Sequence, residues 1–101
     1  MYRAVVACLV AIVVGLGVGC GGGLPVATPV DAARSGLALA DLQQGRTLVA
    51  AKCSSCHRTP LPAEHRTEEW PRMIDEMSRR AHVDGGERRA IRDYLVTMAA
   101  R

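Results

Sequence analysis

Two cysteines separated by two residues, with a histidine directly after the second, stand at Cys53-Ser54-Ser55-Cys56-His57. Each thiol can add to one vinyl group of a haem to form a thioether, and this spacing followed by His is the attachment pattern of a c-type haem. His57 then falls beneath the iron, where a neutral imidazole nitrogen can serve as an axial ligand. The same pair of thiols has other uses, as a redox disulfide or half of a zinc site. A zinc site needs a second pair of Cys or His ligands at matching spacing, and the sequence has none. A thioredoxin-like disulfide needs strands alternating with helices, and no such alternation is present. The motif points to one haem c held by two thioether bonds.

An iron with one His ligand lacks a sixth, and a methionine thioether is a usual partner in electron-transfer haems. Trp70, Met73, Ile74 and Met77 are spaced i, i+3, i+4 and i+7, which is one face of a helix. A methionine stripe of this kind is ordinarily core packing. Met77 lies one turn further from Pro71, and the chain can turn away after it. It is the preferred sixth ligand, with Met73 the alternative. His65 in a polar loop and His82 at a helix end among arginines read as solvated side chains, and a bis-His iron stays open. Met98 fits core packing in the last helix.

These residues need elements to position them. Asp41 can cap a helix whose apolar positions include Leu42, Leu48 and Val49, and which delivers Cys53 at its end. Gly45 weakens that helix unless it lets another helix approach closely. Pro60 and Pro62 forbid a helix after the motif and give a loop or turn. Leu61 in that loop can cover a haem face, and a loop carbonyl can accept the second ring N–H of His57; an ordinary surface turn is the other reading. Thr67 is a good N-cap for the middle helix, followed by Glu68 and Glu69. Asp84-Gly85-Gly86-Glu87 has the D-x-x-E form of a capping box, and Ile91, Leu95 and Met98 follow at helical spacing with Tyr94 beside them. That last helix is expected to pack on the first. No strand pattern appears after residue 37.

The chain has 101 residues, enough for one small domain. Residues 1–20 read as an export signal, with Arg3 before the apolar run Ala4–Val14 and small residues before Cys20. The run is shorter than the roughly 20 residues that span a bilayer. Three fates stay open: lipidation of Cys20, cleavage to a soluble secreted protein, or an uncleaved anchor. All three place the domain outside the cytoplasmic membrane. Cys8 reads as a small hydrophobe. Residues 21–37 carry Gly21-Gly22-Gly23, Pro25 and Pro29 and read as a flexible linker. The folded domain is expected over residues 38–101.

From about Asp41 onward the sequence resembles a class I monohaem cytochrome c. Within that class it is similar to small periplasmic domains with a W-x-x-x-[IV]-x-x-M helix, here Trp70, Ile74 and Met77. The resemblance implies an all-α fold of about three helices around one haem, and it too places the sixth ligand on Met77. The expected role is one-electron transfer, as a carrier or as the haem subunit of a periplasmic redox enzyme, and not catalysis by the chain itself. A gas-sensing haem protein and a haem-free thiol–disulfide protein are the alternatives. The partners would be redox proteins, with no nucleic acid, and Cys20 offers a membrane tether. The formal charge of +3 favours an acidic partner only weakly. Arg79, Arg80, Arg88, Arg89 and Arg92 form either a docking rim or a solvated face. With no Phe and a single Trp, sixty-odd residues bury little on their own. A bound haem would supply the missing core, and the haem-free domain is expected to be largely unfolded.

Overall fold

The computed structural model describes residues 23–54 and 58–101. Their regular structure is helical throughout: α1 (Pro29–Ser35), α2 (Leu39–Lys52), α3 (Trp70–Ala81) and α4 (Gly85–Ala99), with a short 3-10 turn at Pro62–Glu64. Ser55, Cys56 and His57 lie outside the described residues, as do residues 1–22, where the export signal was expected.

The α2–α4 pair forms the spine. Leu42, Gly45 and Val49 are buried on α2, one narrow stripe at helical spacing. Gly45 sits where the two helices touch: an added Cβ would lie 2.6 Å from Tyr94 Cβ. The close approach expected of this glycine is therefore present. Lys52 at the end of α2 pairs with Glu87 at the start of α4, at 3.8 Å, so the two helices run antiparallel. α4 contributes Ile91, Tyr94, Leu95 and Met98 to the core. It begins as its sequence foretold: Glu87 N–H donates to Asp84 Oδ1 at 2.8 Å, and Asp84 N–H donates to Glu87 Oε1 at 3.3 Å.

α3 packs on α4 and buries Trp70, Ile74 and Ser78. Met73 and Met77 flank that stripe and are half-buried. The helix opens at Trp70, later than the Thr67 cap implied. A cap at Thr67 would need the first helical bond from residue 71 to its carbonyl, and Pro71 has no N–H. The Thr67 hydroxyl donates instead to Glu68 Oε1. α2 likewise starts early, at Leu39 with Ala38 before it, and Asp41 sits in its first turn, where a negative charge suits the helix dipole.

The segment read as a linker is built into the fold from Leu24 onward. Thr28 caps α1 in a capping box with Asp31, Pro29 occupies the first turn, and Gly36 closes the helix at φ +73°. Seven residues would not hold a helix alone. This one is fastened by remote groups. Arg101 grips the buried Asp31 carboxylate with two hydrogen bonds of 2.8 and 3.1 Å. Arg34 bonds both Asp31 and the Thr97 carbonyl, each at 3.0 Å. The Tyr94 hydroxyl donates to the Pro25 carbonyl at 2.6 Å, and Arg46 Nε to that of Leu24 at 3.1 Å. Leu24 and Ala27 join the core. The helices among the described residues thus number four where about three were expected, because α1 is one of them.

Candidate functional site

α2 ends where the motif begins. Cys53 N–H donates to the Val49 carbonyl, and the Ser54 hydroxyl donates to that of Ala50 at 2.6 Å. The last turn of α2 thereby carries the Cys53 thiol to the end of the spine, half-buried. Burial pushes this thiol above its ordinary pKa.

Cys53 lines an open cavity of about 130 Å³ with Met77, Ile74, Val83, Ile91, and the Ser78, Ala81, Lys52 and Arg80 side chains at its margins. α3 supplies one wall. It ends at His82, in the left-handed conformation at φ 53°, and both His82 N–H and Val83 N–H bond to the Ser78 carbonyl. That reversal folds Val83 back over the cavity. α4 supplies the other wall through Ile91, which is 2% exposed.

Met77 is thus the methionine that shares a cavity with Cys53. Met73 packs against the core and does not line this cavity. Neither histidine of the alternative ligand set lines it. His65 is turned to Glu69, with Nδ1 to Oε2 at 3.4 Å, and meets the Trp70 ring edge-on at a centroid distance of 5.0 Å. It is half-buried and structural, where a solvated loop residue was expected. His82 is exposed at the end of α3.

The proline loop is pinned below α3. Trp70 Nε1–H donates to the Pro62 carbonyl at 3.0 Å, with both groups buried. That carbonyl is therefore taken by the indole. Leu61 packs against the core and not into the Cys53–Met77 cavity. Arg88, Arg89 and Arg92 line a separate polar groove where α4 crosses α3, beside Asp75, and Ile74 separates this groove from the cavity.

The side-chain chemistry suits a haem: a thiol and a thioether line the same space, with aliphatic Ile74, Val83 and Ile91 beside polar Ser78, Lys52 and Arg80. The volume is smaller than the roughly 300–1,000 Å³ of pockets that enclose a whole small molecule. These residues fit such a group as a wall laid against it and not as a closed box. Val83, Ser78 and Ile91 were not foreseen as part of this site. They come from two elements and a helix cap, and only Ile91 carried a sequence cue, as the first buried position of α4.

No protein-family pattern matches this chain, and no curated protein or solved structure matches it.

Proposed function

We propose that this chain is a monohaem c-type electron-transfer protein that works outside the cytoplasmic membrane. Cys53 and Cys56 would hold the haem through thioether bonds, and His57 and Met77 would be the axial ligands. The observation that carries the reading is the Cys53-Ser54-Ser55-Cys56-His57 motif, whose first thiol shares an apolar cavity with Met77. When bound, such an iron supplies reversible one-electron transfer.

The chain's own residues would do three things. Ile74, Val83 and Ile91 keep water from the cavity wall and lower the local dielectric. Arg80 adds positive charge at the margin, which disfavours a more oxidised, more positive centre. The arginines of the groove between α3 and α4 offer an acidic redox partner a complementary face.

The test is a pyridine haemochrome assay and a far-red spectrum of protein made in a host with a working c-type maturation system. The expected result is a two-thioether haemochrome and a weak thioether–ferric band, lost in Met77→Ala and kept in Met73→Ala. Loss of the band in Met73→Ala alone would move the ligand to Met73. CO binding to the reduced protein at neutral pH would favour a sensor.

A further inference from the structure

We propose that residues 24–37 hold this domain against a lipid surface, with the Cys53–Met77 cavity turned away from it. The proposal rests on the reading of Cys20 as a lipid-carrying residue, and adds to it an orientation and a contact face.

Chain length limits how far the domain can stand from Cys20. A linker running to residue 37 would let the domain roam. The fold instead begins at Leu24, which is 8% exposed and gives its carbonyl to Arg46. Only Gly21-Gly22-Gly23 separates it from Cys20. Four Cα–Cα steps reach at most about 15 Å. α4, with 15 residues, is itself about 22 Å long at the usual helical rise. A lipid on Cys20 would sit at headgroup level, so Leu24 would stay within about 15 Å of the lipid surface.

The surface at that end suits the neighbour. Val26 and Val30 are 60% and 72% exposed, the exposed large hydrophobics among the described residues. Both lie on this strap, two and six residues after Leu24. Arg34 and Arg101 share one carboxylate of the same strap, Asp31, and Arg46 holds the Leu24 carbonyl. Apolar side chains beside surplus guanidinium charge match the boundary of an anionic bilayer.

The orientation follows from the spine. The strap is fastened to Tyr94, Thr97 and Arg101 at the end of α4. The cavity lies at the other end, where Lys52 meets Glu87. Thr97 and Glu87 are separated by about 15 Å of helix. The redox end would therefore face away from the lipid, open to a partner.

The test is hydroxyl-radical footprinting of the full, matured chain in vesicles of phosphatidylethanolamine and phosphatidylglycerol. Wild type is compared with a variant carrying about twenty inserted Gly and Ser residues after Gly23, a coil spanning roughly 25 Å. Mass measurement of both establishes whether Cys20 carries lipid. The expected result is labelling of Val26 and Val30 several-fold lower in wild type than in the lengthened chain, with His82 labelled equally in both. Equal, high labelling of the valines on a lipidated protein would overturn the contact and leave lipidation standing. Equal, low labelling in both would mean a cover that travels with the domain, a second copy or a protein, and would also overturn it. Absence of lipid from Cys20 would remove the premise and the proposal together.

Discussion

The two ends of the α2–α4 spine are finished in opposite ways. At one end a strap of fourteen residues, 24–37, is closed down by protein groups alone: Asp31 on Arg101 and Arg34, Tyr94 on Pro25, Arg46 on Leu24. Its buried polar atoms are paired, and Leu24 and Ala27 are in the core while Val26 and Val30 stay exposed. At the other end α2 stops at a half-buried thiol, α3 turns back at His82, and an aliphatic cavity stays open between Met77 and Ile91. On the proposed haem reading, the contrast separates what the polypeptide completes by itself from what a bound apolar group would complete. Aliphatic walls facing an open space forgo burial that a bound apolar group would restore.

That contrast can be broken or sharpened in several ways. The largest effect is expected from removing both thiols. The Cys53→Ala, Cys56→Ala protein should carry no covalent haem. Composition alone suggested a largely unfolded chain, but Leu42, Val49, Tyr94 and Leu95 share one core. Hydrogen exchange should therefore show α3 losing protection first while α2, α4 and the strap retain more. Uniform loss along the chain would mean the two ends are not independent. Trp70→Ala should destabilise the haem-loaded protein by about 3–5 kcal/mol in denaturant unfolding, since it empties a fully buried site and strands the Pro62 carbonyl. Gly45→Ala should cost about 1–3 kcal/mol, because the new methyl meets Tyr94 Cβ and the neighbouring backbone, outweighing its helix propensity.

The smallest effect at neutral pH belongs to Asp31→Asn, and it reports on the strap alone. The Arg101 guanidinium, followed by the Thr28 N–H, holds the Asp31 carboxyl well below the usual carboxylate range. A depressed folded pKa means that the unfolded chain binds more protons in acid. The stabilisation is present above the unfolded value of about 4 and is lost as pH falls through the folded one. Wild type should therefore lose thermal stability on acidification below about pH 4, where free carboxylates begin to protonate, and the variant should lose less. Parallel curves would remove Asp31 from the account.

Some of this was legible in the sequence, and the reasons differ by element. α4 was plain because its capping box and its apolar spacing are both local. The burial of Trp70 and Ile74 was legible from the same periodicity, but the α3 start was not, since Pro71 vetoes the bond that Thr67 would have capped. α1 was missed although Thr28-Pro29-Val30-Asp31 spells a capping box with Pro at the first position. Glycine and proline around it suggested a linker, and the partner that secures it, Arg101, lies 70 residues away. The motif and Met77 could be named from spacing. The cavity between them could not, because Val83 and Ile91 reach it only through the αL turn at His82 and the crossing of α3 over α4.

The central claim is a haem bonded through sulfur to this chain, and peptide mass spectrometry of the matured protein tests it most directly. The account predicts that the peptide containing Cys53 and Cys56 gains the mass of one haem and keeps it after acid–acetone extraction. The same peptide recovered at its unmodified mass, with both thiols open to alkylation, would contradict it.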